Sequence, residues 1–445
     1  MNTQGTYGAL SSDSTQAENI SYTKHNNLMN KVLERENLKR ALERVEGNKG
    51  APGVDGMTVN ELRSNLIASW ETLKPHLEQG TYEPKPVRRV EIPKPNGGLR
   101  QLGIPTAIDR FIQQAIMQVL IPIFDPGFSA FSYGFRPGKS ARQAVQQAQK
   151  YVKEGYKIVV DIDLEKFFDN VNHDVLMSKL YKCIGDKVIL KLIRKYLKAG
   201  VMSNGCCVRS EEGTPQGGPL SPLLSNIMLD ELDKELAKRG HKFVRYADDL
   251  NVYVRSKRAG ERVFASIASV IEKRLKLKVN KEKSAVANPG KRKILGFTLW
   301  KGMIILAGTT VKRLKDKIRQ LTKRNWSISM ETRIEKLNEY LKGWLGYYWI
   351  AQAKGVLEEI DSWMRRRLRM VLLKQWKRCK TKLRELKARG IVESWAVNIA
   401  YSRKKHWRLS NTPQVNKALG SSYWKKQGLV NLQECYYEKW HGKVV

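Results

Sequence analysis

With 445 residues and a mass of 51.0 kDa, the chain is long enough for two or three domains with cores of their own. Its formal charge is +38, and residues 301–445 hold 33 Lys and Arg against 11 Asp and Glu, more than half of that excess. A surplus this large calls for a polyanion such as nucleic acid, and it excludes a neutral secreted scaffold or a membrane protein as the plain reading.

Residues 1 to about 25 are rich in Ser, Thr, Asn and Gln without periodicity, so 1–27 reads as a disordered tail. A helical pattern follows from Leu28 to Val45 and stops near Gly47. Asn48 to Gly56, with Gly50, Pro52 and Gly53, reads as a loop. The most apolar stretch, Phe111 to Phe124, is broken by Gln113, Gln114, Gln118 and Pro122, which argues against a membrane span. Cys183, Cys206, Cys207, Cys379 and Cys435 show neither a paired metal spacing nor a disulfide framework. The expected setting is reducing and cytoplasmic.

The run from Ile158 to Asp169 reads as an apolar strand leading into the acids Asp161, Asp163 and Glu165 and the pair Phe167-Phe168, of which strand alternation puts one in the core, provided the strand extends that far. A strand that delivers a carboxylate at its end is a candidate source of a metal ligand. Asp163 is preferred, and the period of two puts Asp161 on the same face, so the two could exchange roles. His173 reads as a packing or surface residue. Gly213-Thr214-Pro215-Gln216-Gly217-Gly218-Pro219 is a turn-rich loop, followed by an apolar helix over Leu223–Leu229. Its glycines remove side chains where a backbone or a base pair could come close.

Tyr246-Ala247-Asp248-Asp249 carries the most information. Phe243 and Val244 precede it, and Leu250, Val252 and Val254 follow at alternate positions, so the acids sit at the tip of a β-hairpin with one buried face. Adjacent carboxylates repel, and a divalent cation offsets that. Oxygen donors without His or Cys point to Mg²⁺ over zinc. From Val311 the pattern is helical and basic, with Arg365-Arg366-Arg367-Leu368-Arg369 on a helix between Trp363 and Trp376 and with Trp344, Tyr347, Tyr348 and Trp349 close together.

The order of these segments resembles the palm of reverse transcriptases: acidic strand, Gly-Gln loop, Tyr-Ala-Asp-Asp hairpin, then Gly296-Phe297. Val87 to Arg100 resembles the fingers hairpin of the reverse transcriptases encoded by group II introns, and Phe131-Ser132-Tyr133-Gly134-Phe135-Arg136-Pro137 their next block. Lys336 to Trp344 is similar to their maturase-specific segment. The resemblance covers the chain from about Leu28 to near its end. It implies an α+β fold, a right-hand polymerase with fingers, palm and a helical thumb/maturase domain. The implied division is an N-terminal fingers extension over 28–86, fingers and palm over 87–300, thumb over 301–385 and a basic nucleic-acid-binding region over 386–445.

By the same resemblance, Asp163, Asp248 and the carbonyl of Leu164 hold Mg²⁺ with help from Asp249. Lys94 and Arg100, with Arg88 as a weaker candidate, contact the nucleoside triphosphate. Phe168 is the gate against a ribose 2′-hydroxyl, Gln216 and Gly217 line the nascent base pair, and Gly296 with Phe297 lies near the primer terminus. The implied partners are group II intron RNA, an RNA template, a DNA primer, dNTPs and target DNA. The implied work is copying intron RNA into cDNA and assisting splicing and mobility. Many relatives end in a His-Asn-His endonuclease with paired cysteines; no such segment stands here, so DNA cleavage by the chain is not expected and the primer comes from elsewhere. Two other readings stay open, a splicing cofactor with a vestigial polymerase site and a reverse transcriptase recruited to defence or repair.

Overall fold

The computed structural model describes residues 24–93, 97–203, 206–208, 213 and 217–442. The chain forms two compact units, each drawn from two separate segments: the chain up to Gly127 with Lys166–Met228, and Phe128–Glu165 with Leu229 onward.

In the first unit the helix expected over Leu28–Val45 is two helices, Leu28–Leu33 and Arg35–Gly47. Glu34 between them has φ −57 and ψ 134, outside the helical well, so the backbone turns there. Leu28, Met29, Val32, Ala41 and Val45 are buried. A longer helix, Val59–Glu78, starts with a capping box in which the Thr58 amide and hydroxyl donate to Glu61 at 2.8 and 2.9 Å. Strands β1 (Val87–Pro93) and β2 (Leu99–Ile104) pair antiparallel from Arg88 opposite Ile104 to Pro93 opposite Leu99. The apolar stretch over Phe111–Phe124 lies within the helix Ala107–Phe124. Among the described residues no helix is long and apolar enough to cross a membrane.

The second unit holds β3 (Ile158–Ile162). The short strands β4 (Val201–Ser203) and β5 (Cys206–Val208) belong to the first unit and extend its sheet in the order β2-β1-β4-β5. Strands β6 (Lys242–Tyr246), β7 (Asp249–Val254) and β8 (Ala285–Ala287) join β3 in an antiparallel sheet ordered β6-β7-β3-β8. The expected alternation along β7 does not hold, because Asn251 and Tyr253 are buried as deeply as Leu250 and Val252. Both faces are covered. The helix Ala141–Lys153 packs on the sheet at β6, and Lys257–Lys273 packs on β3, where Gly260 leaves room for Ile158, Val254 and Val286. Strands β9 (Phe297–Trp300) and β10 (Met303–Leu306) form a separate hairpin.

The remaining chain is helical, led by Gly308–Leu321, Met330–Tyr348 and Lys354–Gln375. Their apolar faces share one core with Val159, Val244 and Tyr253 of the sheet. Trp344, Tyr347, Tyr348 and Trp349 pack partly buried against that core, as a thumb core would require. The basic run is only partly a surface feature. Arg369 is 3% exposed and donates to the carbonyls of Ser410 and Leu419 at 2.8 and 3.3 Å, and burial holds its guanidinium down at about 10. Arg367 donates to Thr322 Oγ1 at 2.6 Å, and Arg366 lies over the Trp407 ring at 4.0 Å. Arg333, also fully buried, satisfies the carbonyls of Leu321, Lys323 and Trp326.

Asp361 on Lys354–Gln375 accepts from the amides of Leu432 and Gln433 at 3.2 and 3.0 Å, so it caps the helix Leu432–His441 from outside it. Burial raises its carboxyl to about 6 despite these bonds. Asp361→Ala, which orphans two amides, should cost about 1–3 kcal/mol in urea denaturation. Asp361→Asn, which keeps an acceptor and mimics the neutral form, should cost less.

Candidate active site

Strand β3 ends at Ile162, which faces Leu250 on β7. The register therefore carries Asp163 toward Asp249, the residue that closes the β6–β7 hairpin opposite Tyr246. Beyond the strand the backbone is stitched to the segment before β8. The Asp163 amide donates to Ser284 Oγ at 3.0 Å, its carbonyl accepts from the Asn280 amide at 2.8 Å, Leu164 bridges to Val279, and the Glu165 amide donates to Lys278 at 2.8 Å. Asp161 and Asp163 differ in their ion pairs. Asp161 is engaged by Arg292, whose Nη2 and Nε lie 2.6 and 2.8 Å from one carboxylate oxygen. Among the described residues Asp163 pairs with Lys283, at 4.0 Å.

The hairpin turn is Ala247-Asp248. Ala247 has φ +56, a left-handed conformation that costs a non-glycine residue roughly 1–2 kcal/mol, so something must hold it. Two features do. Arg245 Nη1 donates to the Ala247 carbonyl at 2.9 Å, and Gly134 lies beneath the turn, where an added Cβ would overlap the Ala247 amide nitrogen and come within 3.0 Å of the Tyr246 carbonyl carbon. The block Phe131–Pro137 thus supports the turn. Phe131 and Tyr133 bond to both sides of the Arg245 backbone at 3.0 and 2.9 Å, and the Phe135 ring stands 6.3 Å from that of Tyr246.

Asp248 is half-buried, and Asp249 keeps an exposed face while protein surrounds its other sides. Burial first, then the carboxylates of Asp248, Asp161 and Asp163, raise the Asp249 carboxyl to about 7; Lys293 opposes them weakly. Among the described residues no three acidic, His or Cys side chains converge as a complete metal cage. The donor set is nevertheless one that fits a hard divalent cation, all oxygen, with more negative charge than the nearby cations offset, and with positions left for substrate oxygens.

The Phe pair departs from expectation. The strand stops at Ile162, and Phe167–Asp169 form a 3₁₀ turn after Lys166 at φ +41. Phe167 is buried, Phe168 half-exposed, and their rings meet edge to face at 5.2 Å. A turn, and not strand alternation, separates core from surface. Gly213, at φ +96, packs on this turn, where a Cβ would come within 2.9 Å of the Asp169 carbonyl and 3.0 Å of that of Phe168. His173, buried, lies 2.6 Å from the Gly213 carbonyl through Nε2, so it is a packing residue. Gly217, exposed at φ +133, approaches the Gly103 carbonyl of β2, and Gly218 the side chain of Gln113. The close approach read from these glycines is at least partly to protein. Arg88 lies on β1, half-buried, with its Nε buried and unbonded. Arg100 lies on β2 opposite Ile92. Lys94 and Gln216 fall outside the described residues.

Gly296 is at φ +87, gripped by the helix Met330–Tyr348 and its neighbour: Thr310 Oγ1 donates to its carbonyl at 2.7 Å, and a Cβ would come within 2.7 Å of the Tyr348 hydroxyl. Phe297 is fully buried between Tyr347 and Tyr348 at 5.7 and 5.1 Å, so its part is support. Sequence reasoning passed over Arg245, Asp233, Arg292 and Ser284. The signal available was a charged residue, Arg245, inside the apolar strand before Tyr246, and an acid, Asp233, on the apolar face of Leu229, Leu232 and Leu236.

An antiparallel palm sheet with acids at the end of one strand and at the adjoining hairpin turn defines a nucleotidyl-transfer class of fold. The model of reverse transcriptases, RNA-dependent DNA polymerases, matches residues 92–299, and that of the group II intron maturase-specific domain matches 311–390. YkfC of Escherichia coli K12 is 34% identical over 299 residues, covering 58% of this chain and 78% of YkfC. The group II intron-encoded protein LtrA of Lactococcus lactis is 38% identical over 213 residues, 46% of this chain and 34% of LtrA. The putative COX1/OXI3 intron 2 protein of Saccharomyces cerevisiae is 31% identical over 234 residues, 52% and 26%. The chain belongs to the reverse transcriptase family, in the branch that carries the group II intron maturase domain. It spans about a third or less of the latter two relatives. The family uses divalent metal ions.

Gly134→Ala should lower primer extension at least about tenfold and stability by roughly 1–3 kcal/mol, measured by cDNA yield and by denaturation, because the new Cβ must displace the Ala247 backbone.

Proposed function

We propose that this chain copies intron RNA into cDNA and assists group II intron splicing and mobility, binding its intron RNA, an RNA template, a DNA primer, dNTPs and target DNA. The observation that carries the polymerase reading is the register of β3 against β7, which brings Asp163 level with the Asp248-Asp249 turn. Asp163, the Leu164 carbonyl and Asp248 would hold Mg²⁺, with Asp249 assisting. Bound there, the ions stabilise the attacking and leaving oxygens of the phosphoryl transfer.

The chain's own residues do the rest. Ser284 and Asn280 fix the Asp163 backbone, so its position at the strand end does not depend on its carboxylate. Arg292 pairs with Asp161 and so offsets part of its negative charge beside the site. Lys94, Arg100 and Arg88 are assigned to the triphosphate, where cations offset charge that builds up on the phosphates. Phe168, half-exposed on its turn, is assigned to the ribose edge, and Gln216 with Gly217 to the nascent pair. The maturase domain and the basic excess of residues 301–445 support RNA binding.

Primer extension on an RNA template with Mg²⁺ tests this reading. The wild type should make cDNA and Asp248→Ala should lose at least about a hundredfold in rate; tight intron RNA binding without cDNA from either protein would leave a splicing cofactor instead. Phe168→Ala should raise incorporation of ribonucleotides relative to deoxyribonucleotides by about tenfold or more, a methylene-scale steric discrimination. An unchanged ratio would remove Phe168 from the gate.

A further inference from the structure

Arg245 and Asp233 form the most deeply buried ion pair among the described residues, with side chains 1% and 0% exposed. The guanidinium uses its whole fork. Nε and Nη2 donate to the Asp233 carboxylate at 2.8 and 2.6 Å, and Nη1 donates to the Ala247 carbonyl at 2.9 Å. The backbone of Arg245 is held as firmly, paired with Leu250 on β7 and bonded through its own N–H and C=O to Phe131 and Tyr133. A buried pair of this kind adds little net stability, because a well-packed apolar pair of similar volume serves as well or better. What an apolar pair cannot supply is the donor to Ala247.

The Ala247 carbonyl and the Asp248 amide belong to one planar peptide. Fixing that carbonyl fixes the plane from which Asp248 departs, at a residue whose positive φ would otherwise relax. Lysine could answer Asp233 with a point charge but lacks the rigid fork that meets carboxylate and carbonyl together. We infer that Arg245 is a positioning residue for the polymerase reaction: ion-paired to Asp233, it orients the Ala247–Asp248 peptide and thereby the catalytic carboxylate. The inference rests on the reading of Asp248 as a metal-holding acid.

The test is steady-state primer extension with Mg²⁺ titrations on Arg245→Met/Asp233→Leu, which removes both charges together, and on Arg245→Lys. Thermal melting and RNA-binding titrations run alongside. The double variant should keep its melting temperature and RNA affinity, lose about a hundredfold in kcat, hold the dNTP KM within about threefold and need about tenfold more Mg²⁺ for half-maximal rate. Arg245→Lys should show the same pattern in milder form, with kcat still well below wild type. A folded double variant with wild-type kcat and Mg²⁺ requirement overturns the inference. Should the double variant not fold, Arg245→Lys is decisive on the same terms. Asp248→Ala, run in parallel, separates the two failures: if it is as active as wild type, the reading of the site falls, and if it alone is inactive, only the role of Arg245 does.

Discussion

Like-charge repulsion is the constraint around which the second unit is arranged. Asp161, Asp163, Asp248 and Asp249 all lie at one end of the β6-β7-β3-β8 sheet, and the Asp249 carboxyl is raised by burial first and by that crowding second. The nearby cations are divided between pairing and support. Arg292 takes Asp161, while Arg245, the cation nearest the turn in sequence, spends its charge on Asp233 and reaches the turn through a carbonyl. If Asp163 and Asp248 hold divalent ions as proposed, a further cation bound directly to them would compete with those ions. The excess negative charge is therefore a cost in stability that the site retains for its chemistry.

Much of this was legible in the sequence, and the reasons are local. The hairpin followed from apolar flanks and a turn, and β3 from a run of β-branched residues. The alternation across β7 failed because helices cover both faces of the sheet, which no period within one strand reveals. Phe167 and Phe168 were separated by a 3₁₀ turn that depends on Lys166 adopting a left-handed conformation, a choice that sequence pattern does not announce. The different pairing of Asp161 and Asp163 depends on Arg292, more than a hundred residues from Asp161, and no spacing rule reaches that far.

The basic excess also divides once side chains are seen. Arg333 and Arg369 tie loops into the helical core by their carbonyls, so a count of Lys and Arg overstates the surface available to a phosphate backbone. Burial of such arginines is affordable because a guanidinium offers five donors in fixed directions and can satisfy several carbonyls at once.

The topology of the palm sheet has a consequence for how the chain comes to be folded. β3 is an inner strand, yet its partners β7 and β8 begin at Asp249 and Ala285. During synthesis the apolar segment Ile158–Ile162 must wait for more than a hundred further residues before both of its edges are paired. Long-range pairing of this kind closes slowly and leaves unpaired strand edges open to other chains.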